Sequence, residues 1–190
     1  TGSRFVVRVE DLTTGAVPIG EAQQLEDLAT LGIDHDGEIV RQSDRTEVYD
    51  DAIERLEVAG LTYPCYCSRR EIREAAAAPH GPGVEGAYPG TCAGLDAAGR
   101  AERERAGRPA ATRLRADRAR VEFEDRFLGR IEAEVDDVVL RRGDGVASYN
   151  LAVVIDDALQ GIEEAVRGAD LVDTTPRQVL LQRLLGLPTP

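Results

Sequence analysis

The chain has 190 residues, of which 42% are hydrophobic and 31% charged, and its formal net charge is −12. This composition predicts one globular domain, or one domain interrupted by a smaller one, and it excludes a disordered chain. It contains no apolar run long enough to span a bilayer and no secretion signal. Three cysteines are an odd number that argues against a disulfide framework, so we expect a cytoplasmic protein.

Two residue types are missing altogether. The sequence contains no Met, and all of its 23 basic residues are arginines. We therefore expect an internal piece of a longer protein. Any activity that needs a lysine would have to take it from outside this piece.

The first third of the chain has the pattern of a layered α/β fold. Residues 4–9 form a short apolar run typical of a buried strand, and Glu10 and Asp11 follow at its end. Apolar spacing and glycine stops then predict two helices, a second strand and a third helix, at 18–31, 44–59, 61–67 and 69–78. Leu25, Leu28 and Leu31 should share the inner face of the first helix, and Ser68 should cap the third.

The middle of the chain changes character, and the α/β pattern then returns. Turn-rich loops and a charged helix precede an antiparallel unit over 111–140, with a turn at 125–129. The last segment predicts a helix over 149–159, a strand over 162–166 and a final helix from Thr175, with Val179, Leu180 and Leu184 facing inward. We therefore expect an α/β domain made of residues 1–67 and 147–190, split by an insertion of residues 68–146.

The charge is unevenly distributed. Residues 100–130 hold ten arginines against six acidic residues, although the chain as a whole is acidic. Such a patch can bind a phosphate backbone locally. The alternative, which the charge count alone favours, is a solvated face with ion pairs.

The three cysteines have a spacing suited to a metal ion. Cys65 and Cys67 are two residues apart, and Cys92 follows in a loop rich in Gly and Pro, so the three thiolates can converge on a tetrahedral Zn²⁺. The alternative is three buried or free thiols. Among residues for a fourth ligand, His80 is the usual chemical choice, and Tyr88 is an unusual one because a phenol must lose its proton.

Charged residues also follow two of the predicted strands. Glu10 and Asp11 would face the crevice at the carboxyl edge of a parallel sheet, although Asp11 could simply open a turn and Glu10 be solvated. Arg167 ends the strand predicted over 162–166, and its planar fork suits a carboxylate or phosphate. An ion pair with Asp170 is equally compatible with the spacing, and Asp156 and Asp157 are read as structural.

Together, nine segments of the sequence resemble the class I glutamyl-tRNA synthetase superfamily over essentially the whole chain. The segments are Arg8-Val-Glu-Asp11, Gln42-Ser-Asp-Arg45, Tyr63-Pro-Cys-Tyr-Cys-Ser-Arg69, Tyr88-Pro-Gly-Thr-Cys92, Asp144-Gly145, Ser148-Tyr-Asn-Leu-Ala-Val-Val-Ile-Asp-Asp157, Gln160-Gly-Ile162, Val166-Arg-Gly-Ala-Asp-Leu171 and Thr175-Pro-Arg-Gln178. Within the superfamily they are most similar to the glutamyl-Q branch, which activates glutamate with ATP and loads it onto the queuosine base of tRNA(Asp). The cysteine and tyrosine pattern, Gly94 and Val153 favour this branch.

The resemblance implies a fold, a site and a set of ligands. The fold would be a Rossmann-like class I catalytic domain, split by a small α+β insertion that contains zinc and faces the tRNA acceptor. Glu10 would bind the ammonium of L-glutamate, Arg167 its γ-carboxylate, and Tyr149 would hydrogen-bond the substrate. Zn²⁺ would be held by Cys65, Cys67, Tyr88 and Cys92, and ATP with Mg²⁺ would be the co-substrate.

The chain departs from the family most clearly in lacking two motifs. The two ATP signatures, a His-x-Gly-His-like motif and a Lys-Met-Ser-Lys-Ser-like loop, are absent, and their expected places lie before Thr1 and after Pro190. We therefore expect no catalytic residue in this fragment and no activity from it alone. The alternatives are an ordinary glutamyl-tRNA synthetase or a non-catalytic zinc module that binds nucleic acid through residues 100–130.

Overall fold

The computed structural model describes residues 4–12, 18–76 and 87–190. The chain divides into an N-terminal unit, Thr1–Val48, and a C-terminal unit, Tyr49–Pro190. Within the described ranges, no helix has the length and hydrophobicity needed to cross a bilayer.

The N-terminal unit contains a short parallel strand pair. Strand β1 (Arg8–Val9) pairs with β2 (Val40–Arg41), and helix α1 (Pro18–Thr30) lies between them in sequence. β1 is shorter than the strand predicted over 4–9. The backbone N–H of Phe5 donates to the Asp36 carboxylate at 2.8 Å, and the Phe5 carbonyl accepts the Asp36 N–H at 2.6 Å, so this end of the segment is held by one residue outside any strand.

Helix α1 ends close to where the sequence predicted. Gly32, just beyond it, has a φ of +71°, which glycine adopts without strain. Leu25 and Leu28 are half-buried, as predicted for the inner face. The same prediction for Leu31 is wrong, because Leu31 lies past the last helical residue and is 74% exposed.

The next helices match their predicted positions. Helix α2 (Thr46–Val58) follows a 3₁₀ turn at Gln42–Arg45 and buries its apolar face, as predicted, through Tyr49, Ile53 and Leu56. Helix α3 (Arg69–Ala76) begins after Ser68, whose hydroxyl accepts the backbone N–H of Glu71 at 3.2 Å. The Glu71 carboxylate in turn accepts the N–H of Ser68 at 2.7 Å, which completes a reciprocal cap.

The antiparallel unit predicted over 111–140 is confirmed. Strand β4 (Ala111–Leu114) lies between β3 (Thr62–Cys65) and β7 (Val139–Arg141) in a three-stranded antiparallel sheet. Strands β5 (Arg120–Asp125) and β6 (Gly129–Glu134) form a separate hairpin after helix α4 (Ala97–Arg105). Its turn lies at 125–129 as predicted, and the Asp125 carboxylate accepts the N–H groups of Phe127 and Leu128 there, both at 2.8 Å.

Helices α5 (Tyr149–Gln160) and α6 (Thr175–Leu185) pack against each other in the C-terminal unit. The apolar core of this pair includes Leu151 and Leu181, both fully buried. On α6, Val179 and Leu180 face inward as predicted. Leu184 does not, because it is 39% exposed and the helix buries Leu181 and Leu185 instead.

The strand predicted over 162–166 is wrong. The segment after α5 has no regular structure until a 3₁₀ turn at Ala169–Thr174. Gly161 has a φ of +68° and ends α5 in a left-handed cap, which redirects the chain. The following residues are mostly exposed, Val166 to 88%, so the apolar residues of this segment are not buried as a strand would require.

Candidate metal centre and substrate-binding residues

The three cysteines meet in the C-terminal unit. Cys65 is the last residue of β3, Cys67 follows two residues later, and Cys92 comes from a turn over 91–94. Their sulfur atoms all lie within 4.8 Å of one another, and those of Cys67 and Cys92 are 3.5 Å apart. The sequence therefore predicted correctly that these thiols converge.

Tyr88 completes the group as a fourth possible ligand. Its hydroxyl oxygen lies 3.3 Å from the Cys65 sulfur and 3.7 Å from that of Cys67, and it accepts the backbone N–H of Cys92 at 2.9 Å. The side chain is buried, at 6% exposed. His80, the other residue considered for this position, lies outside the described residues.

These spacings suit a tetrahedral ion. A zinc–sulfur bond of ~2.3 Å in tetrahedral geometry places neighbouring sulfur atoms about 3.8 Å apart. The observed separations of Cys67 from Cys92 and of the phenol oxygen from two sulfurs are close to that value. Three sulfurs and one oxygen can therefore hold a metal ion of this size with only small adjustments.

The pKa shifts of Cys65, Cys67 and Tyr88 bear on how a metal ion would bind. Burial raises the pKa of Cys67 to about 12, and burial together with the Cys65 hydrogen bond raises the pKa of Tyr88. Burial also acts to raise the pKa of Cys65, but hydrogen bonds with Tyr88, the Cys67 backbone and Arg113 hold it below its usual value. A bound cation would have to displace protons from the group, so metal binding should be tighter at higher pH.

Two carboxylates missed by the sequence analysis hold this group in place. Asp136 accepts the backbone N–H of Tyr88 at 2.9 Å and also pairs with Arg177 at 2.6 Å. The Asp137 carboxylate accepts the Tyr63 hydroxyl and the backbone N–H of Ala116. In the sequence, the only sign of these two residues was that they form an adjacent pair of aspartates between β6 and β7. That pair does not indicate which groups they would hydrogen-bond.

Arg167 lies in the irregular segment between α5 and the 3₁₀ turn. Its guanidinium lies 3.7 Å from the Asp157 carboxylate and donates to the Gln178 side-chain oxygen. Gln178 in turn donates to Asn150 at 3.1 Å. The partner is therefore Asp157 rather than the Asp170 considered from the sequence, and the network leads toward the start of α5.

Tyr149 is the first residue of α5 and is 41% exposed. The preceding Ser148 caps the helix by accepting the N–H of Leu151 at 3.4 Å. Because Asn150 is its neighbour in the chain, Tyr149 lies next to the side-chain network of Arg167. Both residues predicted to bind glutamate in the C-terminal unit therefore lie in one region.

Glu10 and Asp11 belong to the N-terminal unit. The Glu10 carboxylate is exposed and accepts from the Arg8 guanidinium at 3.2 Å. Asp11 instead accepts both the backbone N–H and the hydroxyl of Ser43, at 2.9 and 2.6 Å. Burial acts to raise the pKa of Asp11, but these two hydrogen bonds lower it overall. Asp11 thus has a structural role, and the Glu10 carboxylate is accessible.

The arginines of residues 100–130 form many ion pairs. Five of the ten lie within 4.0 Å of a carboxylate: Arg108 with Glu71, Arg118 with Glu134, Arg120 with Glu132, Arg126 with Glu164 and Arg130 with Glu122. The alternative of a solvated, ion-paired face thus describes this window well. Exposed ion pairs of this kind contribute only ~0–1 kcal/mol each to stability. Their arginines can therefore exchange a carboxylate partner for a phosphate.

Comparison with known proteins indicates the family. A model described as "tRNA synthetases class I (E and Q), catalytic domain" matches residues 1–190. The chain is 58% identical over its full length to a protein of Nocardia farcinica named glutamyl-Q tRNA(Asp) synthetase, and 47% identical to one of the same name from Cutibacterium acnes. It spans 60% and 54% of the length of these two relatives.

Solved structures match the fold over the whole chain. A glutamate tRNA ligase from Elizabethkingia meningosepticum, in complex with its amino acid, superposes with a TM-score of 0.81 at 24% identity. The glutamate-tRNA synthetase of Elizabethkingia anophelis gives a TM-score of 0.83, also at 24% identity. The chain covers 42% of each of these proteins, and the likeness establishes the fold as the class I catalytic fold with mixed α/β content.

Proposed function

The chain belongs to the catalytic-domain family of the class I tRNA synthetases for glutamate and glutamine, and from this membership we propose that its parent protein is a glutamyl-Q tRNA(Asp) synthetase. The parent would activate L-glutamate with ATP and transfer it to the queuosine base of tRNA(Asp). The observation that carries this proposal is the 58% identity, over the full chain, with a relative of that name. The convergence of Tyr88 with three cysteines supports the same branch.

The residues of this chain would supply the glutamate pocket. Glu10 would accept from the substrate ammonium, Arg167 would make a two-pronged hydrogen bond to the γ-carboxylate, and the Tyr149 hydroxyl would hydrogen-bond the substrate. An arginine fork selects glutamate over glutamine because an amide cannot match two N–H donors with two acceptors. The exposure of Glu10 and Tyr149 supports their availability to a ligand.

ATP with Mg²⁺ would be the co-substrate. The chain spans little more than half of its curated relatives, and we propose that the motifs that bind the ATP phosphates lie in the remainder of the parent. The cytoplasm, where tRNA is charged, would be the site of action. Alone, this chain would hold glutamate contacts and the metal centre but would not form the adenylate.

We also propose that the metal is Zn²⁺ and that its role is structural. Four protein ligands leave no open position for a substrate or water, which is the arrangement of structural zinc sites. The ion would join the end of β3 to the loop that carries Tyr88 and Cys92. Residues 68–146 would then be a zinc-containing, acceptor-facing insertion in a Rossmann-like domain made of residues 1–67 and 147–190. The hydrogen-bonded β3–β4 pair would connect the two parts.

The amino-acid and tRNA specificities can be tested on the full-length parent. ATP–pyrophosphate exchange should depend on glutamate and should not need tRNA. Labelled glutamate should then transfer to tRNA(Asp) that carries queuosine, and should not transfer to the same tRNA with guanosine at that position. Charging of tRNA(Glu) instead would identify an ordinary glutamyl-tRNA synthetase. Zinc-dependent tRNA binding with no exchange activity would identify a non-catalytic module.

The metal can be tested by elemental analysis of protein purified without chelators. We expect about one zinc per chain. Cys92→Ser should lower the occupancy strongly, whereas Ser68→Ala, a nearby change that leaves all four ligands intact, should not. If Tyr88→Phe retains the wild-type zinc affinity, the fourth ligand is another residue.

A further inference from the structure

Arg113 is a buried cation beside the metal-binding group. It lies on β4 opposite Tyr63 of β3 and is 7% exposed. Its guanidinium carbon is 3.7 Å from the centre of the Tyr88 ring, and the guanidinium also acts to lower the pKa of Cys65. Arg113 therefore stacks on one proposed ligand and acts electrostatically on a second.

The hydrogen bond that Arg113 donates goes to a neutral carbonyl group rather than to a carboxylate. Its Nη1 donates to the backbone carbonyl of Asp137 at 2.6 Å. The Asp137 carboxylate is used elsewhere, by the Tyr63 hydroxyl and the Ala116 amide. Among the described residues, no carboxylate forms an ion pair with Arg113, and its buried Nε has no hydrogen-bond partner.

A buried guanidinium needs negative charge nearby, because removing it from water is costly. The metal centre can supply that charge. Three thiolates and a phenolate outnumber the two positive charges of the ion they bind, so the loaded site keeps an excess of negative charge. A planar guanidinium stacked on the phenol ring of one ligand is placed to offset it.

We propose that Arg113 is a positioning residue of the metal centre, which orients Tyr88 and balances the excess negative charge of the loaded site. This inference rests on the metal centre proposed above. A merely structural role would be to tie β4 to the segment before β7 through the Asp137 carbonyl. The two roles differ in whether the affinity for the metal depends on Arg113.

The test measures zinc affinity in the full-length protein, by competition with a chromogenic chelator. Arg113→Met removes the charge, and we expect zinc binding to weaken by roughly 10–100-fold, the usual effect of losing a partner of a metal ligand. Arg113→Lys should weaken it less, because the ammonium keeps the charge without the planar fork. The matched control is Arg141→Met, which removes a half-buried arginine of the same sheet that pairs with Asp50 instead.

A second readout separates positioning from folding. The melting temperature of each variant is measured without metal and after adding zinc. A structural role would lower both values equally, whereas the proposed role reduces the increment produced by zinc.

Each outcome has a distinct meaning. If the wild-type protein binds no zinc, the metal centre itself is wrong. If the wild-type binds zinc and Arg113→Met binds it equally well, the centre stands and the role of Arg113 is overturned. If Arg113→Met does not fold, Arg113→Lys decides the matter, and wild-type zinc affinity in that variant would overturn the proposal.

Discussion

Replacing Arg167 by alanine gives the most direct test of the proposed glutamate pocket. The guanidinium is largely buried, at 18% exposed, and its partner Asp157 is 8% exposed. In the full-length parent, the change would remove the charged, partly desolvated contact that we propose to the γ-carboxylate. Such truncations cost about 2–5 kcal/mol, which is roughly 30- to several-thousand-fold in kcat/KM for glutamate.

The same change removes a cation 3.7 Å from the buried Asp157 carboxylate, which would destabilise the fold independently of any substrate. The double variant Arg167→Ala with Asp157→Asn separates the two effects. It should recover much of the lost melting temperature, because the buried carboxylate charge is gone. It should not recover glutamate activity, because the fork that binds the substrate is still missing.

The assay is glutamate-dependent ATP–pyrophosphate exchange, with the KM for ATP measured in parallel. Arg167→Lys should recover activity only in part, since an ammonium cannot make the bidentate contact. Arg177→Ala, which removes another partly buried, ion-paired arginine, is the matched control and should leave the KM for glutamate unchanged. If Arg167→Ala keeps wild-type kcat/KM for glutamate, Arg167 serves only to hold Asp157 and Gln178, and the placement of the substrate is wrong.

Three further predictions concern helix capping, the buried core and the basic window. Ser68→Ala should lower the free energy of unfolding by about 1 kcal/mol through loss of the cap of α3. The backbone hydrogen bond from Ser68 and the side-chain hydrogen bond from Arg108 lower the pKa of Glu71 from 4.5 to about 2. The ionised Glu71 carboxylate therefore stabilises the fold above pH 4.5, and this stabilisation is lost as the pH falls toward 2. Glu71→Gln should flatten acid unfolding curves over that interval, and an unchanged curve would contradict this. Tyr49→Phe removes the 2.8 Å hydrogen bond to the buried Asp156 and should cost about 1–3 kcal/mol in urea unfolding, whereas an unchanged midpoint would show that the bond contributes nothing. Finally, replacing exposed arginines of residues 100–130 by glutamine should weaken tRNA binding, reduce its salt dependence and leave glutamate activation intact; unchanged tRNA affinity would mean that the window is a solvated, ion-paired face.

The helices were predictable because their apolar residues follow the helical period and glycines mark their ends. Tyr49, Ile53 and Leu56 fall on one buried face of α2 for this reason. The prediction failed at single leucines near helix ends. Leu31 and Leu184 fit the period, but period alone does not say where the last packed turn ends.

The strand expected over 162–166 shows the limit of short apolar patterns. Alternation over a few residues predicts a strand only if another strand offers free hydrogen-bonding groups beside it. In the described chain, Gly161 turns the backbone and leaves Val166 at 88% exposure. Arg167 was therefore placed in the wrong kind of element, and its role in binding glutamate stays a prediction.

The ligands of the proposed metal centre could be predicted from the sequence, but the arginine beside them could not. The close spacing of Cys65 and Cys67 and the fixed interval from Tyr88 to Cys92 could be seen in the sequence. Arg113 could not, because its place beside them depends on how β3 and β4 align.

That alignment also relates the proposed metal binding to folding. In β3, Tyr63 and Cys65 are buried while Thr62 and Pro64 are not, so one side of the strand carries both the sulfur ligand and the aromatic packing. A slip of one residue against β4 would turn that side outward and move Tyr63 away from its position opposite Arg113. Any ion that requires Cys65, Cys67 and Cys92 together is therefore compatible with only one register of the sheet.

By the same reasoning, the register holds two of the three sulfurs in place before an ion arrives, since Cys65 ends β3 and Cys67 follows directly. The loop with Tyr88 and Cys92 is held separately by Asp136, so the site needs both constraints, and neither can be read from the spacing of the cysteines alone.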